Sequence, residues 1–159
     1  MLKNIKPLNL EIDFEMMQKY DTVLLPLEGR NAYYFPENNI ILHPSILFVF
    51  GSNLAGRHGK GAALEASIDY GAIYGVGEGK MGRSYAIPTK NKMLQVLPLD
   101  EISKAVERFK EYIATSDVSC YVTAVGTGLA GYKHDDIAPM FKGVTNCWLP
   151  FEWRRFIEV

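Results

Sequence analysis

The sequence predicts an α/β protein of three layers, with helices on both faces of a mixed but mostly parallel central sheet and a strand-rich extension at the N-terminus. Two observations carry this. From Ile46 onward, short apolar runs that end at glycine alternate with helical patterns, the order expected when parallel strands are joined by crossover helices. Between them, Ile102, Val106, Phe109 and Ile113 recur at intervals of 4, 3 and 4, the one-sided stripe of a helix lying on a sheet. The length of 159 residues, with 48% apolar and 22% charged residues, fits one ordinary globular domain over 1–159.

The elements follow in order. Within residues 1–45, Phe14, Met16 and Met17 give a weak helical hint. Thr22–Leu25, Ala32–Phe35 and Asn39–Leu42 are β-prone runs divided by Pro26, Gly29, Pro36 and Pro44, expected as strands or hairpins flanking the main sheet. The core, 46–159, opens with Ile46–Phe50, a buried strand ending at Gly51, and a glycine-rich loop to Gly61 leads into a helix over Ala62–Tyr74. Gly75–Gly82 reads as a flexible connection. Ser84–Thr89 is a strand with Pro88 near its end. A helix then starts with Asp100 as its N-cap. Cys120–Val125 is a strand ending at Gly126, a second glycine-rich loop runs to Tyr132, a short helix covers about Asp135–Phe141, and Asn146–Leu149 is the last strand. Trp148, Phe151, Trp153 and Phe156 are expected to complete the core or, as the alternative, to form a subunit contact.

Composition excludes several classes. With 17 Lys+Arg against 18 Asp+Glu and a net charge of −1, the chain is no nucleic-acid binder held by bulk charge. No apolar stretch reaches the roughly 18 residues of a membrane span, and Met1–Leu10 lacks the pattern of a signal peptide, so a cytoplasmic protein without membrane partners is expected. Cys120 and Cys147, the only cysteines, form neither a CxxC pair nor a zinc knuckle and are expected as two buried free thiols.

The chemistry concentrates in the two loops. Gly51, Ser52, Asn53, Arg57, His58, Gly59, Lys60, Gly61 and Ala62 form the first, directly ahead of a helix. Glycines let backbone N–H groups approach an anion, and a helix start adds partial positive charge, so a phosphate or diphosphate is the expected guest. Thr127, Gly128, Leu129, Ala130, Gly131 and Tyr132 repeat the arrangement. Both loops leave the carboxyl ends of strands, where ligands sit in such sheets, and should converge on one crevice. A Walker A site is excluded, because Leu54 and Gly61 stand where glycine and Ser/Thr are required. Gly75–Gly82 has a dinucleotide-type glycine string, but it follows a helix and precedes a strand, the reverse of the required order.

His58 and His134 are placed to face each other across the crevice, while His43, before Pro44, belongs to a turn. Their spacing indicates no metal, and no cofactor is implied. Asp135 and Asp136 start a helix, where at least one should cap it and either could reach a ligand. Lys90 ends a strand on the crevice rim, and a lysine in a partly desolvated site can attack a sugar or carbonyl carbon.

Phe48–Asn53 with His58–Ala63, then Tyr85–Lys90, then Val125–Tyr132, resemble the successive elements of a macro domain, over about Ile46–Leu149. The layout is most similar to the branch containing the terminal ADP-ribose protein glycohydrolase. The resemblance implies a macro-like fold and binding of ADP-ribose or a related NAD-derived nucleotide, either free or on an ADP-ribosylated macromolecule. His58–Ala63 resembles that branch's Met-Gly-Ala-Gly-Ile-Ala stretch, which lies against the distal ribose and diphosphate. Thr127–Tyr132 resembles its second phosphate loop, and Lys90 falls on its nucleophilic lysine. Two departures stand out. Ala130 occupies the place of the acidic residue that resolves the lysine adduct, for which Asp135 or Asp136 would have to substitute, and no Gly-Asp-Ile/Val segment precedes Ile46 to grip adenine. Hydrolysis of ADP-ribosyl linkages with Lys90 as nucleophile, binding or sequestration without chemistry, and a structural role on the same fold therefore all remain open.

Overall fold

The computed structural model describes residues 5–7, 22–27, 32–35 and 40–158; the helical hint at Phe14–Met17 lies outside them. Strands β1 (Ile5–Pro7), β2 (Thr22–Leu24) and β4 (Ile40–Leu42) form a small sheet in the order β1-β4-β2, with both pairings parallel rather than hairpins. The second of the three β-prone runs, Ala32–Phe35, is not a flanking element. Strand β3 (Tyr33–Phe35) pairs in parallel with β9 (Cys147–Pro150) as the edge of the main sheet.

That main sheet has the order β3-β9-β8-β5-β7-β6, with β5 (Ile46–Asn53), β7 (Ser84–Lys90) and β8 (Ser119–Val122) at its centre. All neighbours are parallel except β6 (Gly79–Met81), which runs antiparallel to β7. The alternation of side chains along β5 builds both halves of the core. Leu47 and Val49 join Ile102, Val106, Phe109 and Ile113 of helix α2 (Leu99–Ser116) on one face. Ile46, Phe48 and Phe50 meet Ala63, Ala66 and Tyr70 from helix α1 (Gly61–Asp69) and its C-cap on the other. The fold is thus a three-layer α/β arrangement with a mostly parallel sheet, and the stripe from Ile102 to Ile113 is its sheet-facing side.

Several boundaries differ from expectation for physical reasons. Helix α1 stops at Asp69, not Tyr74, because Gly71 turns the chain at φ +76 and the N–H of Ala72 caps the Ala66 carbonyl at 3.1 Å. Helix α2 is N-capped by Pro98. Asp100 and Glu101 lie in its first turn, where their charge favours the helix dipole. Strand β7 runs two residues past Pro88, which sits beside a register shift at Ser52/Asn53, a place where its missing N–H costs little. Strand β8 ends at Val122, where Thr123 turns both its N–H (3.0 Å) and its hydroxyl (2.7 Å) onto the Val49 carbonyl.

The short helix α3 (His134–Ile137) continues as a 3-10 turn over Ala138–Phe141 and is N-capped by Lys133. Asp136 acts from its third position, its carboxylate accepting the Lys133 N–H at 3.0 Å. A final 3-10 turn, Phe151–Trp153, leads into helix α4 (Arg154–Ile157). Of the C-terminal aromatics, Trp153 is wholly buried against Phe141 at 4.9 Å, whereas Phe151 is exposed. Cys120 and Cys147 are cross-strand partners on β8 and β9, both free and buried. A hydrogen bond with Cys147, and then burial, hold the Cys120 thiol well above its usual range. Among the described residues, no helix is long and apolar enough to cross a membrane.

Candidate functional site

A cavity of about 970 Å³ crosses the carboxyl ends of the parallel strands, and both glycine-rich loops border it. Gly51, Ser52, Asn53, Arg57, Gly59, Lys60, Gly61 and Ala62 form one wall. Thr127, Gly128, Leu129 and Ala130 form another, and Lys90 stands at the tip of β7. The two walls come together because β5 and β8 are neighbours. A Cβ on Gly51 would lie 3.4 Å from the Gly126 amide nitrogen. Gly126 itself turns at φ +77 against Ile137, a conformation that favours glycine.

Gly59 and Gly128 are different. Their backbone needs no left-handed conformation; a Cβ would meet only the Tyr74 hydroxyl at 3.7 Å in the first case and nothing within 4 Å in the second. Neither turn geometry nor packing demands glycine there, yet both residues border the crevice. Their bareness leaves main-chain N–H groups open to close approach.

The connection 75–82 is a buttress rather than a flexible link. A Cβ on Gly77 would fall 2.2 Å from the Asn53 carbonyl oxygen, and one on Gly56 would fall 2.4 Å from Gly75. The Ser52 hydroxyl donates to the Gly77 carbonyl, and the Gly75 N–H donates to the Gly56 carbonyl at 3.0 Å. Within the first loop, the Asn53 amide closes a ring with Arg57, donating to its carbonyl at 2.8 Å and accepting its N–H at 3.0 Å. Asn53 therefore shapes the loop with both ends of its side chain.

Four residues expected at the site stand elsewhere. His58 is completely buried behind its loop, with Nε2 at 3.0 and 3.1 Å from the carbonyls of Ile73 and Val76 and its ring edge-on to Phe50 and Tyr74. It ties the loop to the buttress and does not face His134, which does border the crevice. Tyr132 points its hydroxyl to the Leu97 carbonyl at 2.7 Å, and its N–H closes the second loop on the Gly126 carbonyl. Gly131 turns that loop at φ +82. Asp135 lines a separate hollow with Lys133 and Arg155. His43 accepts the Ser45 N–H at 3.2 Å in its turn.

Sequence reasoning missed the far end of the crevice. There Phe35 stacks on Tyr121 at 4.3 Å, and Pro150, Glu65 and Glu152 also border the cavity. Burial, with the charge of Asp69 adding and that of Lys6 opposing, pushes the Glu65 carboxyl up to about 7. Burial and the nearby Glu65 likewise raise the Tyr121 hydroxyl. One signal in the chain pointed here: Glu65 follows Ala62 by three positions, one helical turn into the element that the first loop opens.

The charge is polarised. Arg57, Lys60 and Lys90 border the crevice with no carboxylate within ion-pair distance among the described residues. No cluster of three metal-ligating side chains occurs among the described residues. No protein-family model, no curated protein and no solved structure matches the chain.

Proposed function

We propose that the crevice binds ADP-ribose or a closely related nucleoside diphosphate sugar, free or carried on a macromolecule, in a cytosolic protein. The observation that supports this most is the shared hollow of the two loops, with Gly59 and Gly128 bare where the fold does not require it. Main-chain donors from two adjacent strand tips suit a diphosphate, and Arg57, Lys60 and Lys90, without carboxylate partners among the described residues, suit its charge. The aromatic wall of Phe35 and Tyr121 suits a base, whose flat face gains from stacking. From β3 to β7 the crevice crosses four strand spacings of about 4.8 Å, or about 19 Å, room for a base, two phosphates and a second ribose reaching Lys90.

Binding without turnover is the form the site favours. Ala130 carries no acid, and Asp135, the nearby acid in sequence, lines another hollow. The test is calorimetric titration with ADP-ribose, alongside Gly59→Val and Gly128→Val. A Cβ at Gly128 enters open space and one at Gly59 makes only an ordinary contact with the Tyr74 hydroxyl, so thermal stability should stay within about 2 °C while affinity falls at least about tenfold. A parent that binds no ADP-ribose, or valine variants that bind it unchanged, would overturn the proposal.

A further inference from the structure

Two leucines from different loops border the cavity, Leu94 in the loop that follows Lys90 and Leu129 in the second glycine-rich loop. They are 41% and 69% exposed, so the core does not account for either. Leu94 is the more telling. Its backbone is left-handed, φ +63, a conformation that glycine or asparagine adopts at less cost than leucine. The turn is held by Asn91, whose side-chain oxygen accepts the N–H groups of Met93 (2.9 Å) and Gln95 (3.0 Å) and whose carbonyl accepts that of Leu94 (3.0 Å). The Tyr132 hydroxyl bonded to Leu97 at 2.7 Å ties the two leucine-bearing loops together. A branched apolar side chain is thus kept in a strained position that a polar residue would fill more comfortably, and strain of this kind collects at ligand contacts.

We infer that the Lys90 end of the crevice is a subsite for a neutral, flat ring with apolar faces carried on the second ribose of the nucleotide, clasped between Leu94 and Leu129. The inference rests on the nucleotide reading above and narrows the ligand class. Neutrality follows from the cations: Arg57, Lys60 and Lys90 lie along the same crevice without carboxylate partners among the described residues, so a positively charged ring is opposed where an uncharged one is not. A ligand ending in a bare sugar hydroxyl leaves both leucines in water.

The probes are ADP, ADP-ribose, NAD and NADH, which differ in what the second sugar carries and in the charge of its ring. For the parent, NADH should bind about tenfold tighter than ADP-ribose, the gain expected from covering one apolar group, and tighter than NAD. Leu94→Asn keeps a residue suited to the left-handed turn and removes the apolar wall. It should cut the NADH preference below about threefold while leaving ADP affinity within about twofold. Equal affinities for NADH and ADP-ribose in the parent, or an undiminished preference in Leu94→Asn, would overturn the subsite while ADP binding upholds the nucleotide reading. Failure of ADP, ADP-ribose and NADH alike would overturn both.

Discussion

Glu65 offers a quantitative test of how dry the Phe35–Tyr121 end of the crevice is. Its carboxyl stands at about 7 in the folded protein against 4.5 as a free side chain, first through burial and then through the charge of Asp69, with Lys6 pulling the other way. A carboxyl raised in the folded state prefers to keep its proton there. Below pH 4.5 both folded and unfolded chains carry that proton, and the position costs nothing. Between 4.5 and about 7 the unfolded chain ionises first, so folding loses stability as pH rises; above about 7 both are ionised and the loss is constant. The full displacement corresponds to at most about 3 kcal/mol, and the solvent reaching this half-buried side chain reduces it to about 1–2 kcal/mol. Glu65→Gln cannot ionise. Denaturant unfolding followed by circular dichroism, for parent and variant from about pH 4 to pH 8.5, should show the variant gaining about 1–2 kcal/mol on the parent between about pH 4.5 and 7, then a plateau. Subtracting the two profiles cancels the titrating groups that do not interact with Glu65, leaving Glu65 and its coupling to Asp69 and Lys6. A difference that stays flat across this range would show that Glu65 is hydrated and that the Phe35–Tyr121 end is open water.

Other consequences can be checked alongside. Gly77→Ala drives a methyl group into the Asn53 carbonyl; stability should fall by about 2–4 kcal/mol and ADP-ribose affinity should fall with it, as unfolding curves and calorimetry would record. Asn53→Ala opens the ring with Arg57, with an expected loss of about 1–3 kcal/mol in unfolding experiments. For Lys90→Ala, the parent should bind ADP-ribose yet release none from a glutamate-linked ADP-ribosyl substrate, and the variant should bind several-fold more weakly. Release by the parent that the variant lacks would instead establish Lys90 as a nucleophile.

The elements that local pattern could reveal were those whose environment is uniform along the chain. Strand β5 is covered on both faces and reads as a continuous apolar run, and α2 lies on the sheet along its whole length and shows its stripe. The end of α1 was marked by Gly71, but apolar residues beyond it, Ala72, Ile73 and Tyr74, prolonged the helical pattern past the turn. Strand β6 was hidden in a glycine-rich stretch where Gly75 and Gly77 approach Gly56 and Asn53 and Gly82 approaches Gly71, contacts that no local spacing encodes. The same holds for the site. The loops announced themselves through glycine, whereas Phe35 and Tyr121 meet only because β9 separates their strands by one position in the sheet. His58 shares the loop's sequence but faces away from the crevice, a matter of side-chain direction that residue type does not determine.

One contact has a practical consequence. The indole N–H of Trp153 donates to Nδ1 of His134 at 3.0 Å, and His134 borders the crevice. Because the indole can only donate, the proton of the neutral imidazole sits on Nε2. A guest that bonds to Nε2 polarises the ring and, through it, the buried indole. Where a guest reaches Nε2 of His134, occupancy of the crevice should register as a change in tryptophan emission, with no label attached and Trp153→Phe as the blank.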